Sequence, residues 1–225
     1  MSTYLVINIL IISIPLVLSF DKNLKFYKNI PQIIQSLLFI STAYIIWDVI
    51  ATKRGDWAFS PDHLIGIYFF GLPLEEILFF ITVPYACIFI YETIKFYIKE
   101  KVFRINNNYF YLPALILIII SFLFYKQNYT FTVGIFTAGF FIGAILFKSK
   151  LLNSRSFWLT ILICFVPFLL VNYFLTSIPV VTYNNDAFFG KRFITIPYED
   201  FFYSFSMISL WILFYELAKE KIKLK

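Results

Sequence analysis

The sequence predicts an all-α membrane protein with seven transmembrane helices, built as two parallel three-helix repeats and one connecting helix. Three observations lead to this prediction. Of the 225 residues, 60% are hydrophobic and 14% are charged, whereas charged residues make up close to a quarter of a soluble domain. Seven apolar runs approach the roughly 20 residues that a membrane-spanning helix needs. Polar, glycine and proline residues also recur at a constant spacing along the chain.

The seven apolar runs are separated by short polar loops. They cover residues 3–20, 32–52, 73–94, 109–125, 130–147, 157–178 and 197–218. The first run has no basic residues before it and no small-residue cleavage site, so we interpret it as a retained helix and not as a signal peptide. Cys87 and Cys164 lie inside apolar runs and are interpreted as small core residues, not as a disulfide or a metal pair.

The basic residues of the loops predict the orientation. Fourteen lie on one side of the membrane, four of these between Lys219 and Lys225, whereas five lie in loops on the amino-terminal side: Lys53, Arg54, Lys126, Lys191 and Arg192. The positive-inside rule therefore places the amino terminus outside and the carboxyl terminus in the cytoplasm, across the cell membrane. The net charge of +6 forms no continuous patch, which argues against nucleic acid and for contact with anionic lipid.

An internal repeat relates the two halves of the chain at an offset of 124 residues, without gaps. The matched pairs include Asp62 with Asp186, Gly66 with Gly190, Pro73 with Pro197, Glu75 with Glu199, Tyr91 with Tyr215 and Glu92 with Glu216. We therefore assign residues 1–108 to a first repeat, 109–126 to a connecting helix and 127–225 to a second repeat. One helix between the repeats makes them parallel, which predicts a pseudo-two-fold axis along the membrane normal.

Two acidic motifs occupy equivalent positions in the repeats. The predicted third and seventh helices begin at prolines, a residue that suits the first helical position. The acids that follow are Glu75 and Glu76 in one motif and Glu199 and Asp200 in the other. Neighbouring helix positions do not face each other, so one acid from each motif is expected to point into a shared site. A structural alternative is that these acids are helix caps that suit the positive end of the helix dipole.

Other candidate site residues lie close to these acids. Asp48 falls at a similar depth, and ionisable groups inside a membrane usually face a site or a partner. The candidates for substrate contact are Trp47, Arg54, Trp57, Phe79, Phe80, Asn172 and Tyr203. No G-x-G-x-x-G follows a strand pattern, which argues against a nicotinamide or flavin domain. One histidine and two apolar cysteines also argue against an ordinary zinc or di-iron site. We therefore expect neither a cofactor nor a metal.

These motifs resemble the membrane-integral, flavin-independent lycopene cyclase family in its fused two-repeat form. The resemblance rests on Trp47-Asp48, Gly55-Asp-Trp57, the stretch from Gly71 to Phe80 and the second copy from Pro197 to Tyr203. It covers nearly the whole chain. The second repeat departs from the first, because Asn172 stands opposite Asp48 and Val181 opposite Trp57. A single composite site is therefore expected, and not two identical ones.

The resemblance implies redox-neutral cyclisation of the linear end groups of lycopene to β-ionone rings. A carboxylic acid protonates the terminal double bond, and a carboxylate removes a ring proton afterwards. We expect Glu75 and Glu199 to form this acid–base pair, with Glu76 and Asp200 adjusting their protonation and Asp48 and Arg54 as supporting partners. The implied partners are a membrane-embedded carotene, the lipid bilayer and other carotenoid enzymes.

Two other functions fit a seven-helix protein with buried acids. A retinal photoreceptor needs a lysine in the middle of its last helix, and the seventh run has none before Lys219. A proton-coupled transporter would use the same intramembrane acids and is the alternative that we retain. The sequence also leaves open β, ε or γ rings, cyclisation of one or both ends, and the oligomeric state.

The charge distribution yields a first prediction, on topology. Reporter fusions should place the amino terminus outside the cytoplasmic membrane and the carboxyl terminus inside, because an odd number of spans separates them. Fusions that report both termini on one side would contradict the seven-span arrangement.

Overall fold

The computed structural model describes residues 2–223, so Met1, Leu224 and Lys225, including one of the lysines counted above, lie outside it. Seven helical segments account for most of the described chain. They are α1 (Thr3–Leu18), α2 (Phe26–Arg54), α3 (Leu74–Tyr97), α4 (Asn107–Leu123), α5 (Asn128–Leu146), α6 (Arg155–Ser177) and α7 (Tyr198–Lys223). Each corresponds to one of the apolar runs of the sequence, in the same order.

Five of the seven helices are long and apolar enough to cross a membrane: α2, α3, α5, α6 and α7. They make the chain an integral membrane protein. The other two, α1 and α4, are apolar but shorter. At 1.5 Å per residue, the 16 residues of α1 span about 24 Å, which is less than the ~30 Å of the hydrocarbon core. The count of seven spans therefore stays a prediction.

Polar side chains and backbone turns define several helix ends. Ser2 caps α1 by accepting a hydrogen bond from the backbone of Leu5, and Ser154 caps α6 in the same way. Gly55 ends α2 with a φ of 79°, a conformation that glycine adopts without steric cost. The expected starts of α3 and α7 are one residue too early. Pro73 has an extended backbone and precedes α3, and Pro197 precedes α7 as the last residue of a strand.

The second helix contains a wide turn that fixes it against two others. Within α2, a π-helical turn at Leu37–Ser41 separates two α-helical parts. Beside it, Ser36 donates a hydrogen bond to the carbonyl of Trp211 at 2.7 Å. Ser41 donates to the carbonyl of Phe80 at 2.7 Å and accepts from the Trp211 indole at 3.0 Å. These bonds satisfy buried polar groups and hold α2 against α3 and α7.

The two halves of the chain interlock. In each half the first helix packs against the third, α1 on α3 and α5 on α7. The second helix of each half instead packs mainly against the third helix of the other half, α2 on α7 and α6 on α3. The connecting helix α4 lies along α5, where Gly134 permits close contact, since a Cβ there would meet the Ser121 hydroxyl at 2.1 Å. The core is consequently shared and does not divide into two units.

Short strands close one end of the bundle, which we call the hairpin end. β1 (Trp57–Phe59) pairs with β4 (Val181–Tyr183) across the two halves. β2 (Tyr68–Phe69) and β3 (Leu72–Pro73) form one hairpin, and β5 (Arg192–Phe193) and β6 (Ile196–Pro197) form another. The β1–β4 ladder is centred on Ala58 opposite Thr182. These two residues are 124 positions apart, so the ladder follows the spacing of the sequence repeat.

Crossed ion pairs join the halves at the opposite end. The Lys95 ammonium lies 2.7 Å from Glu216, and the Lys219 ammonium lies 2.9 Å from Glu92. Each lysine also lies over the ring of the tyrosine four residues before it, at 4.8 and 5.1 Å. All four charged side chains are partly shielded from solvent, which strengthens their attraction relative to a fully exposed pair. The network therefore connects α3 to α7.

The crossed pairs yield a second prediction, on stability. Lys95→Glu should destabilise the protein by about 1 kcal/mol, or about 2–4 °C in thermal unfolding in detergent, because it places three carboxylates together. Adding Glu216→Lys should recover most of this loss, because it restores opposite charges across the helices. If the two substitutions instead lower the melting temperature additively, the pair does not join the helices.

Candidate active site

An elongated apolar cavity of about 470 Å³ lies between α1, α3, α6 and α7. Along α3 its lining extends from Glu76 to Ile90, which corresponds to about 20 Å at 1.5 Å per residue. The strands β1 and β4 close it at the hairpin end, where Trp57 and Tyr183 belong to its wall. Most of the remaining wall is aliphatic or aromatic. The cavity therefore suits a long apolar molecule that lies parallel to the helices.

The side of the cavity opens at the apolar outer surface of the bundle, between α1 and α6. Leu10 and Ile14 of α1 line the cavity and are 67% and 68% exposed on the outer surface of the bundle. Leu170 and Phe174 of α6 form the other edge of the opening and are 59% and 49% exposed. The opening is therefore bordered by apolar side chains and suits a hydrophobic molecule.

Three buried carboxyl groups lie at the closed end of this cavity: Asp48, Glu76 and Asp200. The first two come from the amino-terminal half of the chain and the third from the carboxyl-terminal half. Asp48 and Glu76 are neighbours in the wall of the cavity. A hydrogen bond between two carboxyl groups requires a proton on one of them, so this pair can hold one transferable proton.

Neutral donors fix the outer oxygens of the Asp48–Glu76 pair. The Trp57 indole donates to Asp48 Oδ1 at 2.6 Å, and the Thr52 hydroxyl donates to the same oxygen at 3.3 Å. The Tyr4 hydroxyl donates to Glu76 Oε2 at 2.5 Å. Asp48 Oδ2 is buried and receives no hydrogen bond from any of these donors. The Glu76 carboxyl is thereby left as its polar neighbour.

Asp200 has a different set of partners, all of which are donors. Tyr129 donates to its Oδ1 at 2.5 Å, while Asn172 and Tyr183 donate to its Oδ2 at 2.9 and 3.0 Å. Burial, and after it the Asp200 charge, raises the pKa of Tyr183 well above its usual range, so this phenol stays a neutral donor. Because the carboxyl group accepts all three bonds, the arrangement suits an ionised carboxylate.

Aromatic rings surround the carboxyl end of the cavity. Trp57 and Tyr129 have ring centres 5.2 Å apart, and Tyr129 is stacked on Tyr183 at 5.8 Å. Phe79 lies 6.1 Å from Tyr4 on the other side. The negative faces of such rings attract a desolvated cation. The site thus combines three buried carboxyl groups with aromatic walls that tolerate positive charge.

The structure does not bring Glu75 and Glu199 into this cavity. Glu75 Oε1 accepts from the Ser2 hydroxyl and the Ile65 backbone, both at 2.7 Å. Glu199 Oε1 accepts from the Thr130 hydroxyl at 2.5 Å and from the Phe189 backbone at 2.8 Å. Both acids therefore fasten a loop to a helix start. Successive helix positions point about 100° apart, so the residue that follows each of them faces the cavity.

The seven candidates for substrate contact divide in a similar way. Trp57, Phe79, Asn172 and Tyr203 line the cavity, whereas Trp47, Phe80 and Arg54 do not. Trp47 is stacked on Phe136 at 4.8 Å outside the cavity, and Phe80 is fully buried. Arg54 forms an ion pair with Asp56 beside the β1–β4 ladder. These three side chains therefore point away from the cavity and contact other parts of the protein.

Sequence reasoning missed three tyrosines of the site, Tyr4, Tyr129 and Tyr183. Tyr4 and Tyr129 make the same contact with the acids Glu76 and Asp200 in the two halves. They are 125 positions apart while the acids are 124 apart, so a gapless comparison does not align them. A one-residue shift in the first helix of the repeat would have found them.

Comparison with family models supplies the remaining observation. The model of the family described as lycopene cyclase matches residues 1–94 and again residues 126–218. The chain belongs to the lycopene cyclase family. No curated protein and no solved structure matches the chain significantly. Both matched segments contribute carboxyl groups to the cavity, and membership supports a cyclase enzyme of carotenoid synthesis.

The donors around Asp200 yield a third prediction. Tyr183→Phe should lower the rate of ring formation by roughly 10–10²-fold, because a hydrogen bond to a charged group contributes about 1.5–3 kcal/mol. Pigment chromatography of a lycopene-accumulating bacterium would measure it. Tyr173→Phe is the matched control, since Tyr173 lies outside the cavity on the same half of the chain. Equal losses in both variants would contradict a role for the Tyr183 hydroxyl.

Proposed function

We propose that the protein converts the linear end groups of lycopene to β-ionone rings by acid–base catalysis within the membrane. One observation carries the proposal: three buried carboxyl groups lie at one end of an apolar cavity that opens at the apolar surface of the helix bundle. The reaction is an isomerisation by an intramolecular lyase. It needs a proton donor, a proton acceptor and an environment that tolerates a carbocation.

The Asp48–Glu76 pair is the proposed proton donor. Its shared proton is transferred to the terminal double bond of the substrate, which leaves a tertiary carbocation. The neighbouring double bond attacks this cation and closes the six-membered ring. Loss of a ring proton then forms the new double bond. One proton enters and one leaves, and the number of electrons is unchanged, so the scheme requires no redox cofactor.

Asp200 is the proposed partner of the cationic intermediate and the acceptor of the leaving proton. Its three neutral donors hold it as a carboxylate before the substrate binds. A preorganised negative charge stabilises positive charge in a dry site more strongly than in water. The rings of Trp57, Tyr203 and Phe79 enclose the same space. Their faces contribute about 2 kcal/mol or more to a desolvated cation.

The dimensions of the cavity support binding of one end of the substrate. A carotene is about as long as the ~30 Å hydrocarbon core is thick, whereas the cavity extends for about 20 Å along α3. The buried end would reach the carboxyl groups. The rest of the polyene would leave through the opening between α1 and α6 and lie in the bilayer.

We also propose that all seven helices cross the membrane and that the two halves are parallel repeats. The symmetric β1–β4 ladder, the crossed ion pairs and the exchanged packing of α2 and α6 support a pseudo-two-fold axis. The hairpin end would face outward with the amino terminus, and the lysine-rich end would face the cytoplasm. The alternative of a proton-coupled transporter has no support in the family match.

The different surroundings of the acids yield a fourth prediction. Glu76→Gln, Asp48→Asn and Asp200→Asn should each lower ring formation by roughly 10²–10⁴-fold, because each amide lacks a carboxyl group that transfers protons. Pigment chromatography would measure ring formation, and immunoblotting of membranes would confirm that the protein accumulates.

Glu75→Gln and Glu199→Gln are the matched controls for these variants. Glutamine keeps the oxygen that accepts from the loop backbone, so both controls should retain most activity. The opposite pattern, with activity lost in the controls and kept in Glu76→Gln, would make the loop-fastening acids the catalytic pair.

A further inference from the structure

The open cavity has a counterpart that is filled with protein. The 124-residue spacing relates each residue of α6 and α7 to one in α2 and α3. Each residue that lines the cavity between α1 and α6 has an equivalent position in the other repeat. The resulting counterpart region lies between α5 and α2. The lining residues Val171, Ser204 and Cys87 then correspond to Trp47, Phe80 and Trp211. At all three positions the counterpart is a large aromatic side chain.

The first and second helices of the repeat follow the same trend. Ile11 of α1 lines the open cavity. The first helices of the two repeats are related by 125 residues, as Tyr4 and Tyr129 are, so the counterpart of Ile11 is Phe136 of α5. Cys164 lines the open cavity, and its counterpart is Ile40. At these five positions the residue that lines the open cavity is the smaller member of the pair, and its counterpart is the larger.

Direct contacts show that these aromatic rings occupy the counterpart region. The Trp47 and Phe136 rings are stacked with centres 4.8 Å apart. Tyr44 lies 4.8 Å from Phe136 and 6.5 Å from Trp211. Trp47, Phe80, Phe136 and Trp211 form what we call the aromatic plug. Trp211 and Phe80 are fully buried, and both rings lie against Tyr44, at 6.5 and 6.4 Å.

We propose that the aromatic plug closes a second approach to the carboxyl cluster, so that one polyene at a time reaches it, always from the side of α1 and α6. That the molecule in the cavity is a polyene rests on the proposed function. That the second approach is closed does not depend on it. A molecule with two linear ends must then leave the cavity and re-enter in the reverse direction before its second ring can form. The plug residues determine this one-sided access.

Thiol labelling tests the plug without reference to activity. The probe is N-ethylmaleimide, a small reagent that enters membranes, and peptide mass spectrometry assigns the label to each cysteine. Cys87 and Cys164 line the open cavity but are only 7% and 2% exposed, so the reference is Leu10→Cys at the edge of the opening, where Leu10 is 67% exposed. Ile40→Cys introduces a cysteine at the counterpart of Cys164. It should react much more slowly than Leu10→Cys.

Removing part of the plug should expose this position. Adding Trp47→Val and Phe136→Ile gives the counterpart region the side chains of the open cavity. Labelling of residue 40 should then rise by about tenfold or more, because small apolar molecules enter such cavities. Trp47→Leu is a milder second variant if the first does not accumulate in membranes. Equal labelling of residue 40 with and without the plug would overturn the proposal.

The reverse substitution tests the occupant of the open side. Val171→Trp places the plug residue in the open cavity and should lower ring formation by more than about tenfold, whereas the control Val171→Leu should have a smaller effect. Normal ring formation by Val171→Trp would overturn entry from the side of α1 and α6. If the unmodified protein formed no rings from lycopene, the proposed function would be refuted. The labelling result would still decide whether the plug is closed.

Discussion

Burial of carboxyl groups inside a membrane protein is the constraint on which the rest of the structure depends. An ionisable group in the hydrocarbon region costs several kcal/mol unless it finds a partner. Here Asp48 and Glu76 are partners of each other, and Asp200 is surrounded by three neutral donors. These partners come from both halves of the chain and from the β1–β4 ladder. The interlocked helices and the strand cap are therefore needed to assemble one polar cluster.

The difference between the two halves explains how a repeated fold can contain a single site. A symmetric chain would place an acid at both 48 and 172, but residue 172 is an asparagine that donates to Asp200. One half thus supplies a carboxyl pair that can hold a proton, and the other supplies a carboxylate that accepts hydrogen bonds. The aromatic plug extends the same asymmetry to the apolar walls. In the proposed function, acid, base and substrate path would each be present once among the residues that the structure describes.

The helical order, the membrane class, the internal repeat and the acidic motifs could be predicted from the sequence, because apolar runs and polar matches are local signals. The family resemblance was confirmed by the two matched segments. Which acid of each motif points into the cavity could not be predicted. Adjacent helix positions differ in direction by about 100°, and both positions are acidic in both motifs, so the sequence does not distinguish Glu75 from Glu76. The position of Trp47 outside the lining of the cavity could not be predicted for a related reason. Its position beside Asp48 is fixed by sequence, but its direction depends on Phe136 of a distant helix.

The central claim is that the Asp48–Glu76 pair holds a proton ready for transfer in the resting protein. Infrared spectroscopy of the purified protein at neutral pH tests it most directly, because a protonated carboxyl group has a carbonyl stretch distinct from that of a carboxylate. The account predicts one such band that is absent from both Glu76→Gln and Asp48→Asn and present in Glu75→Gln. A band that persists in Glu76→Gln and Asp48→Asn, or no band in the unmodified protein, would contradict it.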